Sequence, residues 1–107
     1  MALTRDFRQT VTERAQREPE FAKALLDEAM TMFCQGEPEA ARLILRELVN
    51  ATIGFEQLAA HIHRPSKSVH RMLSAQGNPS MDNLSAIVGA LAQSMTATVE
   101  VRVLQRA

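Results

Sequence analysis

The sequence predicts an all-α domain of five to six helices followed by one short C-terminal β-strand. Apolar residues recur every three or four positions through most of the chain, which is the period of an amphipathic helix. Proline and glycine fall singly between these segments, where helices begin and end. Only residues 98–104 change period, because their valines alternate with polar residues. With 107 residues, 46% hydrophobic and 22% charged, the chain can bury one core.

The first three helices are delimited by proline and glycine. The first runs from an N-cap at Thr4 to about Arg17, and Pro19 opens the second, which Gly36 ends. Pro38 opens the third, which runs to about residue 50. Their apolar faces are predicted to be Phe7, Val11 and Ala15, then Phe21, Leu25, Ala29, Met32 and Phe33, and the third helix has the buried face Ala41, Ile44, Leu45 and Leu48.

The second half of the chain contains shorter segments. Gly54 precedes a fourth helix over 55–62, and a fifth follows over 66–74. After a turn at 77–79, Ser80 caps a sixth helix that runs to about residue 93, with Leu84, Ile87, Val88 and Leu91 inward. The strand over 98–104 cannot satisfy its backbone groups alone, so we expect it to pair with its copy in a homodimer.

Charge is unevenly distributed along this chain of zero net charge. Residues 1–50 carry nine acidic and seven basic side chains. No acidic residue occurs over 57–81, which holds Arg64, Lys67, Arg71 and all three histidines. This window indicates one localised anion-binding surface.

The spacing within this window fits two short helices that cross steeply. Ala59 is small enough for the crossing point, and Leu58, Ile62, Val69 and Leu73 fill the space between the helices. Ser66 is expected to cap the second helix, whose N-terminus then favours a phosphate. A helix with exposed donors and no acid fits the major groove of double-stranded DNA. The candidate DNA-binding residues are Arg64, Ser66, Lys67, Ser68, His70 and Arg71.

Residues 58–59, 65–69, 71–73 and 77–84 resemble the lambda-repressor/Cro-like (XRE) helix-turn-helix family. Within it, the Gly-Asn-Pro-Ser turn at 77–80 is similar to that of the HigA-like antidote proteins of bacterial toxin–antitoxin modules. The resemblance covers about residues 38–95, so we expect 1–37 to form an N-terminal helical extension and 96–107 to form a strand at a dimer contact. It implies a repressor of its own promoter, with a toxin encoded beside it as a possible partner.

The chain departs from the family at two positions. Phe55 stands where the family often has a glutamine that supports a phosphate contact. His63 stands where the tight turn usually has glycine, so we expect a less sharp turn.

The same residues are also compatible with roles other than DNA binding. The helix pair can be packing alone, although the basic window favours DNA. His61 and His63 are two residues apart and point to different sides of a helix, so they do not predict a metal site, and His70 fits better as a groove-facing donor. Cys34 reads as a buried small apolar residue. The glycines lie singly and the histidines lack acidic neighbours, so no catalytic set and no cofactor site is predicted.

The sequence therefore predicts a cytoplasmic transcriptional regulator that binds its operator as a homodimer. It contains no apolar run long enough for a membrane span and only one cysteine. Two rivals remain. One is a regulator of the same fold without a toxin, and the other is an adaptor that binds a protein through its first three helices and never contacts DNA.

Overall fold

The computed structural model describes residues 5–107, and α-helix is the only regular secondary structure over this range, which confirms the predicted all-α class. The N-cap predicted at Thr4 lies outside the described residues. The helices are α1 (Arg5–Arg17), α2 (Pro19–Cys34), α3 (Pro38–Ala51), α4 (Phe55–Ile62), α5 (Ser66–Met72) and α6 (Met81–Ser94).

The helix boundaries follow the local signals in the sequence. Pro19 and Pro38 begin α2 and α3, where a missing backbone N–H removes no hydrogen bond. Gly36 after α2 and Gly54 before α4 have φ angles of 82° and 81°, which other residues rarely adopt. The Ser80 hydroxyl accepts a hydrogen bond of 3.1 Å from the backbone N–H of Asn83, so the predicted cap of α6 is confirmed.

One hydrophobic core joins all six helices. Its largest fully buried side chains come from α3 to α6, and smaller residues of α1 and α2 complete it. On α2 the buried stripe is Ala22, Leu26 and Ala29, rather than one centred on Phe21 and Leu25, which lie partly exposed at the edge. Two alanines on the inner face let α2 approach α3 closely, and larger side chains are left at the margin. The fully buried side chains are Leu45, Leu48, Val49, Leu58, Val69, Leu73, Ile87 and Leu91.

The sequence predictions for Cys34 and for Ser66 as a helix cap are wrong. Cys34 is exposed, because it is the last residue of α2 and lies about 100° around the helix from partly buried Phe33. Ser66 is the first residue of α5 and not its cap. The N-cap position belongs to Pro65, and no side chain caps this helix.

The C-terminal segment has no regular secondary structure in the single chain, where residues 97–107 are neither helix nor strand. Val99 packs against the core, whereas Val101, Val103 and Leu104 are exposed by 64%, 94% and 73%. A strand requires a hydrogen-bonded neighbour, which one copy does not offer this segment, so its pairing stays a prediction. No helix within 5–107 is long and apolar enough to cross a membrane.

Candidate nucleic-acid interface

Helices α4 and α5 form a tightly packed pair. Ala59 is 4% exposed, and Leu58, Val69 and Leu73 are fully buried around it. The chain leaves α4 through two backbone hydrogen bonds, from Arg64 N–H to the Ala59 carbonyl (3.0 Å) and from His63 N–H to the Ala60 carbonyl (3.3 Å). These are the two bonds of a Schellman motif. The small residue predicted for the crossing is therefore buried in the centre of the pair.

The turn after α4 is as tight as a glycine would make it. His63 adopts the left-handed conformation, with φ 58° and ψ 47°. The less sharp turn expected from histidine at this position is therefore wrong. Histidine is one of the residues that enter the left-handed region more readily than most.

The outer side of α5 carries two basic side chains that have no bonding partner over residues 5–107. Lys67 and Arg71 are exposed and four residues apart, so they share one face of the helix. Their side chains make no hydrogen bond or ion pair with any residue over 5–107. His70 is exposed beside them, and Ser66 and Ser68 are partly exposed.

Phe55 supports this surface from below. It is 7% exposed, and the His70 ring stacks on it with a centroid distance of 3.8 Å and an interplanar angle of 15°. The Arg46 guanidinium lies 5.8 Å from the same ring centroid. Phe55 therefore packs against the His70 ring, a contact that the sequence did not predict.

Two arginines of α3 hold the C-terminal end of α5. Arg42 donates from Nε to the Ser74 carbonyl (3.1 Å) and from Nη2 to the Ala75 carbonyl (2.8 Å). Arg46 donates from Nη1 to the His70 carbonyl (3.3 Å). The His70 carbonyl lies in the last turn of α5, and Ser74 and Ala75 directly follow the helix, so these bonds fix the end of α5 and the segment after it. Arg42 and Arg46 are therefore half-buried residues that bind the backbone of a neighbouring segment, and their charges do not simply face solvent.

Arg64 lies between the turn and α6. Its Nε donates to the Asn83 side-chain oxygen (3.3 Å), and its Nη1 donates to the His63 carbonyl (3.3 Å). Arg64 thus links the end of α4 to the first turn of α6 while its side chain stays exposed. We call Arg64, Lys67, His70 and Arg71 the basic surface.

The connection from α5 to α6 requires glycine at position 77. Its N–H donates to the Ser74 carbonyl (3.0 Å). A Cβ at this position would lie 2.6 Å from the Arg71 carbonyl oxygen and still closer to that of Met72. Only glycine lets the chain pass this close to the last turn of α5.

A second surface lies on the other helices. Phe7, Val11, Phe21, Leu25 and Ile44 line an apolar groove of about 340 Å³ between α1, α2 and α3. Charged side chains stand at its rim, and one of them, Glu47, accepts a hydrogen bond of 3.0 Å from Thr12. We call this surface the α1–α3 groove.

Metal ligands do not cluster in the described part of the chain. Over residues 5–107, no three His, Cys, Asp or Glu side chains converge on one point. His61 and His63 are exposed on the α4 side of the turn.

Comparison of the chain with protein-family models, with curated proteins and with solved structures finds no match.

Proposed function

We propose that this protein is a sequence-specific DNA-binding transcriptional regulator that reads double-stranded DNA with α5. The observation that supports this function best is the contrast between two pairs of basic residues. Arg42 and Arg46 hold the carbonyl end of α5, whereas Lys67 and Arg71 on its outer face have no partner over residues 5–107. The exposed basic side chains on α5 are available to bind an anionic ligand, whereas the arginines of α3 are occupied by backbone carbonyls.

The chemistry of the outer face fits the major groove. Arginine pairs bidentately with the two acceptors of guanine, and lysine contacts bases or phosphates. Arg71 is therefore proposed as the base-reading residue and Lys67 as a phosphate or base contact. His70, whose ring stacks on Phe55, adds a donor beside them.

Autoregulation is the form of this function that the family resemblance supports. Under this proposal the operator lies in the protein's own promoter, two copies bind it, and a toxin encoded beside it is a possible partner. A short neighbouring reading frame for a toxin, together with binding to the upstream region, supports this form. Binding to the upstream region without such a neighbour supports a plain regulator.

The direct experiment is an operator titration by fluorescence anisotropy, with the native upstream region and a scrambled duplex at several salt concentrations. Lys67→Ala and Arg71→Ala are compared with Arg17→Ala, which removes the same charge from the exposed end of α1. The proposal requires that both α5 variants weaken binding and that the control does not. Equal affinity of all three variants and the parent contradicts it.

The α1–α3 groove supports a second candidate function, that of a protein-binding adaptor. Phe7 at its edge is 50% exposed, and an apolar groove of this kind suits an apolar helix or loop of another protein. The two functions are separated by the same titration, because an adaptor does not shift the anisotropy of the upstream duplex even at low salt.

A further inference from the structure

The C-terminal segment leaves most of its backbone hydrogen-bonding groups without partners over residues 5–107 of the single chain. The Ala97 N–H closes α6 by donating to the Ala92 carbonyl (2.9 Å), and Val99 packs against the core. Beyond this anchor, the backbone groups of residues 98–104 make no hydrogen bond with any residue over 5–107. Val101 and Val103 are 64% and 94% exposed. Open backbone donors and acceptors beside exposed valines are the features that recruit another strand.

We propose that residues 98–104 pair antiparallel with the same residues of a second copy, with Val101 on the two-fold axis. A two-fold axis makes identical segments run antiparallel, and each then satisfies the backbone groups of the other. The use of this dimer on an operator rests on the proposed function. The pairing itself does not, and it is measured without DNA.

Charge selects this register. In an antiparallel pair centred on Val101, Glu100 of each copy faces Arg102 of the other, so two pairs of unlike charge form. A pair centred on Glu100 places that carboxylate opposite its own copy. A pair centred on Arg102 does the same with two guanidinium groups, and like charges in opposed positions are unfavourable.

The valines select the same register. Centring on Val101 places Val99 opposite Val103, so the three valines of the segment in each copy share one face of the pair. Centring on Val99 or Val103 instead places Val101 opposite Ala97 or Gln105. A centre between two residues places valines opposite polar side chains. Only the Val101 register satisfies both the charged face and the apolar face.

Val99, at one end of the apolar face of the segment, already packs against the helical core. A small cleft of about 110 Å³ lies between residues 97–100 and the side chains of Lys23, Leu26 and Asp27 on α2. Because Val103 of the second copy faces Val99, pairing brings the most exposed valine of each chain next to the anchored valine of the other. The pairing therefore covers apolar surface that a single copy exposes.

A cysteine cross-link tests the register. Cys34 is exposed, so both variants are made on Cys34→Ser. In Val101→Cys the two cysteines face each other with Cα atoms about 4.5–5.5 Å apart, within the range of a disulfide. In the matched variant Val103→Cys they lie about 13 Å apart, since each is displaced by two residues in opposite directions. We expect a disulfide dimer from Val101→Cys alone on mild oxidation. Equal cross-linking of the two variants overturns the register.

A charge exchange tests the pairing in solution. Glu100→Arg and Arg102→Glu each place like charges opposite each other twice, so we expect roughly tenfold weaker self-association by sedimentation without DNA. In an equimolar mixture, a dimer of one copy of each variant again contains two pairs of unlike charge. A homodimer of the double variant E100R/R102E also contains two such pairs between its copies. We expect both to dimerise like the parent. A parent that is monomeric at tens of micromolar, or a mixture that stays monomeric, overturns the proposal. A parent dimer that none of these changes weakens also overturns it and places the interface elsewhere, with the α1–α3 groove the next surface to test.

Discussion

At the scale of single residues, basic side chains have two different environments. Arg42 and Arg46 donate to backbone carbonyls at the end of α5, and their partners lie 24 to 33 residues away in the chain. Lys67 and Arg71 have no such partner over residues 5–107. The sequence alone identifies all four as basic, but only their positions in the fold separate the cations that orient the helix from those available to a ligand.

Replacing Arg71 or Lys67 distinguishes reading from anchoring. If Arg71 pairs with a base, Arg71→Ala costs about 1–3 kcal/mol of operator binding and relaxes specificity at one position. If Lys67 contacts a phosphate, Lys67→Ala weakens every sequence alike and reduces the salt slope by about one. Competition titrations over a set of single-base operator variants measure both effects. Unchanged affinity in both variants means that α5 does not read DNA.

Arg42 gives a prediction about positioning. Arg42→Ala removes two charge-assisted hydrogen bonds to Ser74 and Ala75, so we expect a loss of about 1.5–3 kcal/mol in the free energy of unfolding. If α5 reads DNA, we expect operator affinity to fall as well, because Arg42 no longer holds the end of α5. Urea unfolding and anisotropy at a temperature where the variant is folded measure the two effects separately. A stable variant with parental affinity contradicts this role.

Two glycines offer a matched pair with opposite expected signs. Gly77→Ala drives a Cβ into the carbonyls of α5, and we expect overpacking to cost about 1–3 kcal/mol. Gly89 is exposed within α6 and a Cβ there meets no atom within 4 Å, so Gly89→Ala should stabilise the helix by about 0.5–1 kcal/mol. Thermal unfolding of both variants checks the signs. Equal effects would show that the close passage at Gly77 does not constrain the chain.

At the scale of elements, local signals account for most of what the sequence predicts correctly. α4 begins and ends where the spacing placed it, because Gly54 precedes it and the turn at His63 closes it within one residue. α5 ends at Met72, before the predicted residue 74, and the Ser74 side chain folds back to donate to the Arg71 carbonyl (2.7 Å). The inner face of α2 was misjudged because apolar residues occupy more than one side of it. Packing against α3 decides which side is buried, and that contact is not local.

The helix crossing gives a prediction at this scale. Ala59 is 4% exposed between α4 and α5, so Ala59→Leu should overpack the crossing and cost about 1–3 kcal/mol. Ala60→Leu, one position further on an exposed site, is the matched control and should leave stability nearly unchanged. The melting temperatures of the two variants measure whether Ala59 lies at a tightly packed crossing. If Ala59→Leu melts with the parent, the crossing is not tightly packed at this residue.

At the scale of the whole molecule, the candidate surfaces lie at different places on one core. The basic surface is tied to the first turn of α6 through Arg64 and Asn83, whereas the C-terminal segment leaves α6 at its other end, where the Ala97 N–H closes it. The alternating period of residues 98–104 predicted an extended segment, and the distribution of charge identified the basic window. They did not predict that α3 connects the α1–α3 groove with the end of α5, because that arrangement depends on contacts between distant parts of the chain.

The last prediction separates dimerisation from folding. Deleting residues 101–107 removes only exposed residues and the proposed centre of pairing, while Ala97 and Val99 keep their contacts with the body. We expect unchanged helix content, a shift from dimer to monomer in sedimentation, and a larger loss in operator binding than in nonspecific binding. Under the proposed function one copy reads few base pairs, so specificity requires two copies about one helical turn apart. Deleting only 105–107 is the matched control and should leave the dimer intact. A 101–107 deletion that remains dimeric at micromolar concentration contradicts the pairing, whereas a monomer that retains full operator specificity contradicts the need for two copies.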